Sequence, residues 1–224
     1  ILINTMGKKD LRIVYMGTPE FAVEPLKRLV EEGYNVVGVV TMPDKPAGRG
    51  QHLQESPVKK YALEEDIPIL QPEKLRDEDF LVQLKMWQAD IQVVVAFRML
   101  PEVVWNMPRL GTFNLHASLL PQYRGAAPIN WAIINGEKET GVTTFFLKHE
   151  IDTGNIILQR STPIHDEDNV GTLYDRLMNM GADLVVETME RITMGDVSTM
   201  PQDDSVAVTP APKIFKEDCK INWN

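Results

Sequence analysis

Arg12-Ile13-Val14-Tyr15-Met16-Gly17 opens the part of the sequence that decides the fold. Its four consecutive apolar residues, ending at a glycine, predict a short buried strand that stops at a turn. Apolar side chains then follow helical spacing over residues 19–30, and Gly33 is well placed to end that helix. A second apolar run over residues 35–41 predicts another strand. Strand, helix and strand in this order form a βαβ unit, which implies a parallel pair in an α/β domain.

The rest of the sequence continues this alternation, and its clearest amphipathic helix covers residues 171–193. We therefore predict a three-layer α/β domain, with helices packed on a central sheet. The further predicted strands are 68–70, 91–96, 111–116, 141–147 and 156–162. The further predicted helices are 58–65, 77–88, a short one opened by Pro101, and one starting over 128–134.

Two segments show no regular periodicity. Residues 42–57 contain three prolines and two glycines, which predict a long loop without helix or strand. A loop of that length inside a compact domain is usually functional or disordered. From about residue 200 the periodicity is lost again and prolines recur, so we predict a linker there.

Composition indicates a globular protein outside the membrane. The chain has 224 residues, 43% of them hydrophobic, with a net charge of -9 and one cysteine. A single cysteine excludes an internal disulfide and a thiolate metal cluster, and no apolar run approaches the roughly 20 residues that span a bilayer. We expect a cytoplasmic protein. The negative charge argues against a nucleic-acid partner, although basic residues outnumber acidic ones within the first 60.

Asn114 and His116 are the first candidates for chemistry. They lie two residues apart on a predicted strand, so their side chains project from the same face. Open α/β sheets bind ligands at the ends of such strands, but a structural hydrogen-bonded pair has the same spacing. A glycine- and proline-containing stretch over 118–129 follows, in which small residues precede a helix and permit close approach of a ligand. Asp152 occupies an Asp-Thr-Gly turn, a sequence that is common in turns generally.

Several known chemistries have no support in the sequence. The turn after the first strand lacks the Gly-x-Gly-x-x-Gly spacing of a dinucleotide site, and there is no Walker A motif or Gly-x-Ser-x-Gly elbow. The four histidines and one cysteine show no paired metal-ligand spacing, so we expect no metal.

Together, Asn114-x-His116, the 118–125 loop and Asp152 resemble the active-site signature of the folate-dependent formyltransferase family. The resemblance runs from about Leu11 to the end of the chain. Three longer stretches are similar to the members that formylate methionyl-tRNA: Gly17-Thr18-Pro19-Glu20-Phe21-Ala22, Pro43-Asp44-Lys45-Pro46-Ala47-Gly48-Arg49-Gly50 and Tyr123-Arg124-Gly125-Ala126-Ala127-Pro128-Ile129.

The resemblance implies a Rossmann-like fold that uses no nucleotide. It also implies transfer of the formyl group of 10-formyltetrahydrofolate to the α-amino group of methionine on charged initiator tRNA, the step that prepares translation initiation. Asn114 would donate a hydrogen bond to the developing oxyanion, His116 would donate a second or relay a proton, and Asp152 would orient the imidazole. The implied folate contacts are Phe97, Arg98, Leu100, Ser118, Leu119, Leu120 and Pro121, and the implied tRNA contacts are Lys45, Arg49 and Arg124.

The resemblance also divides the chain. Residues 1–10 form an N-terminal extension, 11–200 the formyltransferase catalytic domain, and 201–224 a linker towards a C-terminal β-barrel domain that is expected to be absent. Two places depart from the family pattern. The folate-lining loop over 96–101 lacks the usual glycine near Arg98, and Gln51-His52 stands where many relatives have lysines.

Three alternatives remain open on the sequence. The first is a related formyltransferase acting on an amino-sugar nucleotide or glycinamide ribonucleotide. The second is a formyltetrahydrofolate hydrolase, in which water replaces the amine. The third is a catalytically silent folate- or tRNA-binding domain. We expect the chain to be a monomer without membrane association.

Overall fold

The computed structural model describes residues 7–47, 52–203, 205–221 and 223, and contains eleven strands and six α-helices in those ranges. The strands are β1 (Arg12–Gly17), β2 (Asn35–Val40), β3 (Lys45–Ala47), β4 (His52–Gln54), β5 (Ile69–Leu70), β6 (Ile91–Val95), β7 (Thr112–His116), β8 (Arg124–Gly125), β9 (Glu139–Phe146), β10 (Ile156–Pro163) and β11 (Pro210–Ala211). The helices are α1 (Val23–Glu31), α2 (Pro57–Glu64), α3 (Glu78–Met86), α4 (Glu102–Trp105), α5 (Pro128–Ile134) and α6 (Val170–Met194), with 3-10 turns at Glu20–Ala22 and Lys216–Cys219.

Seven strands form one mixed central sheet in the order β10-β9-β7-β6-β1-β2-β5. The strands from β7 to β5 pair in parallel, whereas β9 is antiparallel to both β7 and β10. The parallel pairing of β1 with β2 confirms the predicted βαβ unit. Parallel neighbours bring the carboxyl ends of β1, β6 and β7 to one edge of the sheet, where ligands bind in this class of fold.

Each face of the sheet packs against its own set of helices. Along β1, Ile13 and Tyr15 belong to a core shared with α1, α2 and α6, whereas Val14 and Met16 belong to a core shared with α3 and α4. This alternation follows from the two-residue period of a strand. The predicted three-layer α/β architecture is confirmed.

Helix α6 is the longest helix and is defined at both ends by local chemistry. The side chain of Asn169 accepts a hydrogen bond from the backbone N–H of Thr172, whose hydroxyl accepts one from the backbone N–H of Asn169, forming a capping box. The helix ends at Gly195, whose φ of 70° suits a glycine. Its observed bounds agree with the amphipathic pattern over 171–193 to within one residue at each end.

The prediction that residues 42–57 lack regular structure is wrong. β3 and β4 pair antiparallel, with Pro46 opposite Leu53. In a two-stranded ribbon both strands are edges, so a proline that lacks an N–H can be accommodated there. Ser56 then caps α2 by accepting from the N–H of Lys59, so Pro57 begins the helix instead of ending a loop. Residues 48–51, including Arg49, lie outside the described residues.

The segment after residue 200 packs onto the rest of the domain. β11 pairs in parallel with β8, and the indole N–H of Trp131 donates to the carbonyl of Pro212 at 2.8 Å. Tyr123 donates its backbone N–H to the carbonyl of Thr209 at 2.7 Å. The division of the chain at residue 200 stays a prediction, but Met200, Gln202, Thr209 and Ala211 all form hydrogen bonds with residues of the domain that precedes them. Within the described ranges, no helix is both long and apolar enough to cross a bilayer.

Candidate active site

β7 directs Asn114 and His116 into one cavity. The neighbouring Phe113 and Leu115 belong to the core on the α6 face, where Leu115 lies so close to Gly181 that a Cβ there would come within 2.7 Å of it. Because side chains alternate along a strand, Asn114 and His116 point to the opposite face. Both side chains line the same cavity, as their spacing predicts.

His116 is held in one tautomer by a backbone group. Its Nε2 lies 2.8 Å from the carbonyl oxygen of Tyr123, and since a carbonyl only accepts, Nε2 carries the proton. The Nδ1 atom then faces the carboxylate of Asp152, 3.9 Å from its Oδ2. The imidazole is 8% exposed. Because this orientation is fixed, Nδ1 is the ring nitrogen that can take a proton from a bound ligand.

The Tyr123 carbonyl that fixes His116 is itself held firmly. Tyr123 has a φ of 60°, in the left-handed region that non-glycine residues rarely adopt. Its hydroxyl donates to Glu137 and accepts from the side chain of Asn135. Burial, and secondarily the hydrogen bond to Glu137, raise the pKa of the Tyr123 phenol. These contacts keep the carbonyl directed at the histidine.

Asp152 reaches the site from the turn between β9 and β10. Its Oδ2 accepts a hydrogen bond from the backbone N–H of Gly125 at 3.0 Å, and the residue is 9% exposed. At 3.9 Å from Nδ1 of His116, the same oxygen is too far for a direct hydrogen bond, but it lies near enough to attract the positive charge that the imidazole carries when Nδ1 is protonated. Nδ1 and the carboxylate oxygen are both acceptors in this state, so a group that carries a proton is needed to join them.

Asn114 carries a buried amide oxygen without a partner. Among the described residues, no donor lies within hydrogen-bond reach of its Oδ1. Leaving a buried polar atom unpaired costs about 1–3 kcal/mol, so native structures do so mainly at sites with a functional reason. Asn114 lines the cavity while its Oδ1 is buried, which leaves the amide N–H₂ as the group that can meet a ligand.

The cavity has a volume of about 640 Å³, within the range of small-molecule sites. It opens at the carboxyl ends of β6 and β7, and its walls are mainly apolar, with Asn114, His116 and Asp152 among its polar side chains. Its apolar lining includes Val94, Phe97, Leu100, Trp105, Leu147 and Ile151. Among the described residues, no three His, Cys, Asp or Glu side chains are grouped so that they could hold a metal ion.

The seven residues predicted to contact folate fall into two groups. Phe97, Arg98 and Leu100 line the cavity. The guanidinium of Arg98 donates to the carbonyl oxygens of Pro72 and Glu73, and burial lowers its pKa. The other four, Ser118, Leu119, Leu120 and Pro121, are not among the cavity-lining residues.

These four residues form a loop that is hydrogen-bonded to β9. The hydroxyl of Thr143 donates to the carbonyl of Ser118 at 2.6 Å and accepts from the N–H of Leu120 at 3.2 Å. Leu120 also packs with Phe145 and Ile156 in a small apolar cluster. In this arrangement the loop supports the wall that carries His116, and its contact with folate stays a prediction.

Two of the three residues predicted to contact tRNA are described by the structure, and they lie on different strands. Lys45 is exposed on β3. Arg124 lies on β8, where its Nε and Nη2 donate to Oε1 of Gln202 at 3.1 and 2.6 Å. Arg49 is outside the described residues. Their role as tRNA contacts stays a prediction.

Three groups at the site were not identified from the sequence: the carbonyl of Tyr123, the N–H of Gly125 and the side chain of Gln202. The first two belong to a stretch quoted for its resemblance, but backbone groups carry no residue-specific signal. Gly125 does show why a glycine is needed, since its φ is 127° and a Cβ would lie 2.5 Å from the carbonyl oxygen of Ala211. Gln202 follows the end of the predicted domain, in a segment without periodicity.

The fold is shared with solved formyltransferases. Crystal structures of an N-formyltransferase from Helicobacter canadensis, in complex with folinic acid and dTDP-3-aminofucose, and of phosphoribosylglycinamide formyltransferase from Bacillus halodurans are similar to this chain. The first has a TM-score of 0.66 at 23% identity, covering 96% of this chain and 74% of that one. The second has a TM-score of 0.68 at 22% identity, covering 81% and 94%. At such identities the similarity concerns the fold.

Sequence comparison gives the closer assignment. The family model for formyl transferases matches residues 11–189. A methionyl-tRNA formyltransferase from Bacteroides fragilis is 68% identical over 222 residues, which are 98% of this chain and 68% of the relative. One from Porphyromonas gingivalis is 54% identical over 222 residues, or 98% of this chain and 69% of the relative. The chain therefore belongs to the formyl transferase family, among the methionyl-tRNA formyltransferases.

Proposed function

We propose that this chain transfers the formyl group of 10-formyltetrahydrofolate to the α-amino group of methionyl initiator tRNA, in support of translation initiation. The observation that carries the proposal is the convergence of Asn114, His116 and Asp152 on one cavity in a chain of this family. The three side chains come from two separate parts of the sequence, and all three are buried or half-buried.

The cavity fits a folate donor in size and character. A flat heteroaromatic ring suits apolar walls that include Phe97 and Leu100, with Arg98 at their edge. The donor supplies a formyl carbon bonded to a folate nitrogen. The unpaired amide of Asn114 lies in the same cavity, where it can hydrogen-bond a carbonyl oxygen if its N–H₂ is turned inward.

The side chains divide the chemistry between charge stabilisation and proton transfer. An α-amino group has a pKa of about 7.7–8.0, so part of the acceptor is neutral near pH 7 and can attack. Asn114 donates to the oxygen on which negative charge develops. His116, with one proton fixed on Nε2, takes a proton from the attacking amine on Nδ1. It passes that proton to the folate nitrogen as the bond from this nitrogen to the formyl carbon breaks, which releases tetrahydrofolate. The carboxylate of Asp152 then lies next to the positive charge that forms on the imidazole.

The decisive experiment is formyl transfer from 10-formyltetrahydrofolate to methionyl initiator tRNA, measured as formylmethionine released from the tRNA. Parallel reactions use glycinamide ribonucleotide, a dTDP-amino sugar, and no acceptor. We expect formylmethionine on the tRNA and little product with the other acceptors. Formate release without an acceptor would indicate a hydrolase. Transfer to glycinamide ribonucleotide or to the dTDP-amino sugar, but not to the tRNA, would show that the tRNA is not the substrate. Donor binding without any product would indicate a silent relative.

We propose that the tRNA lies against the β3–β4 hairpin, with Lys45, Arg49 and Arg124 as its basic contacts. The base of the hairpin is fixed, since the ammonium of Lys59 contacts Asp44 and Glu55, and the side chain of Gln71 donates to Asp44 at 2.8 Å. These hydrogen bonds, that from Lys59 first, lower the pKa of Asp44. The anchored base presents Lys45 to solvent on one arm of the ribbon.

Replacing Lys45 by alanine tests this placement. We expect weaker tRNA binding and a slope of log K against log salt that is smaller by about 1, because one phosphate contact and its released counterion are lost. Donor binding should not change. Lys85→Ala, at an exposed lysine on α3, serves as the matched control. An unchanged salt slope in Lys45→Ala would remove Lys45 from the interface.

A tRNA substrate also supports a cytoplasmic location, where charged tRNA and folate donors occur. We propose that the chain acts there as a monomer, since a single copy carries all three proposed catalytic side chains at one cavity. Light scattering coupled to size-exclusion chromatography checks the oligomeric state. A dimer at working concentration would contradict that part of the proposal.

A further inference from the structure

Gln202 uses its whole side-chain amide in a buried position beside the site. Its Nε2 donates to the carbonyl oxygens of Asp152 at 2.6 Å and of Gly154 at 2.9 Å. Its Oε1 accepts two hydrogen bonds from the guanidinium of Arg124. The residue is 8% exposed, although it lies more than ten residues beyond the last residue matched by the family model.

The Asp152 turn needs such an external partner. Asp152 has a φ of 55°, a left-handed conformation that costs an L-residue about 1–2 kcal/mol. The direction of its carboxylate depends on that backbone conformation, because the Cα–Cβ bond turns with φ and ψ. A hydrogen bond to its own carbonyl oxygen therefore acts on the orientation of the side chain. Gly125 alone, through its N–H, contacts only the carboxylate end.

Arg124 determines which way the Gln202 amide faces. A guanidinium only donates, so Oε1 must point to it, and Nε2 must then point to the two carbonyl oxygens. The reversed amide would oppose oxygen to oxygen and N–H₂ to guanidinium. The interaction is thus directional. It connects strand β8, which carries Arg124, to the turn that carries Asp152.

We propose that Gln202 is a positioning residue that sets the Asp152 carboxylate against Nδ1 of His116. The proposal rests on the proposed function and adds a residue to its catalytic apparatus. Gln202 touches neither donor nor acceptor in this scheme; it acts through Asp152. Its loss should therefore lower kcat and leave the KM for the folate donor unchanged.

Two substitutions separate this role from anchoring of Arg124. Gln202→Met keeps the length but removes every hydrogen bond. Gln202→Glu keeps an oxygen for Arg124 and turns a second oxygen towards the carbonyls of Asp152 and Gly154, where a donor is required. We expect kcat to fall by about 10- to 100-fold in both variants, since small misplacements of catalytic groups have effects of that size. Gln83→Met, at an exposed glutamine on α3, is the control.

Combination with Asp152→Asn tests the route of the effect. If Gln202 acts through Asp152, Gln202→Met should reduce kcat much less in the Asp152→Asn background than in the wild type, because the two residues act as one unit. Wild-type kcat in Gln202→Glu would overturn the proposal and leave only an anchor for Arg124. The proposal would also be overturned if Gln202→Met lowered donor affinity and thermal stability equally, and if its effect on kcat simply added to the effect of Asp152→Asn.

Hydrogen exchange gives a readout that does not depend on activity. The amide of Gly125 is protected by Asp152, so its exchange should become at least about tenfold faster in Gln202→Met, whereas the amide of Val93 in the central sheet should not change. Unchanged exchange at Gly125 would overturn the positioning role. If the wild-type chain transferred formyl to none of the acceptors, the proposed function would be wrong. The hydrogen exchange of the Gly125 amide would still decide whether Gln202 positions Asp152.

Discussion

Asn114→Ala and His116→Ala are each expected to lower turnover by about 10²–10³-fold, the usual cost of losing one donor to a developing oxyanion or a positioned proton acceptor. The two variants should differ in stability. Removing the buried, unpaired amide oxygen of Asn114 relieves a desolvation penalty, so its unfolding temperature should stay unchanged or rise. Removing His116 breaks the hydrogen bond to the Tyr123 carbonyl, so a modest fall is expected.

Single-turnover kinetics with pre-bound donor and thermal unfolding measure these effects. Asn179→Ala and His165→Ala replace the same residue types at exposed positions and should leave turnover unchanged. Turnover within a fewfold of wild type in either active-site variant would refute the role assigned to that side chain. A large stability loss in Asn114→Ala would instead show that its amide is a structural group.

The strand residues of the site were accessible from the sequence, because strand periodicity alone relates Asn114 to His116. The apolar run over 91–96 and the glycine before Thr112 are strong local signals, and their parallel pairing follows from the βαβ order. The position of Asp152 next to Asn114 and His116 could not be predicted from periodicity. It depends on a turn between two antiparallel strands, β9 and β10, and only the family resemblance connected the two segments before the fold was known.

The structure of residues 42–57 was predicted wrongly and the packing of the segment after residue 200 was not predicted, and both errors have the same physical cause. Prolines and glycines in 42–57 oppose helices and central strands, but a two-stranded ribbon tolerates them because each strand leaves one edge free. In the described part of residues 200–212 many contacts are hydrogen bonds, from the backbone and from buried Gln202, which need no hydrophobic period. Sequence patterns report burial of apolar faces, so segments held by polar contacts escape them.

Gly154→Ala is expected to disrupt the site from a position that holds no catalytic group. A Cβ at residue 154 would lie 1.5 Å from the carbonyl oxygen of Phe146, and a backbone atom at the end of β9 cannot move aside as a flexible side chain can. The turn must then separate from β9, where Phe146 donates its N–H to the carbonyl of Asn155 at 3.0 Å. We expect a stability loss of at least about 2 kcal/mol, at the upper end of overpacking effects.

Because Asp152 lies two residues before Gly154, the same shift should displace its carboxylate and lower kcat by at least about 100-fold. Gly136→Ala separates this clash from simple backbone strain. Gly136 also has a positive φ, of 68°, but a Cβ there meets nothing within 4 Å, so the control should lose only about 1–2 kcal/mol and keep its turnover. Denaturant unfolding and kcat for both variants decide the matter. If Gly154→Ala behaved like Gly136→Ala in both measurements, the turn could accept a side chain, and the close approach of Phe146 would have no part in placing Asp152.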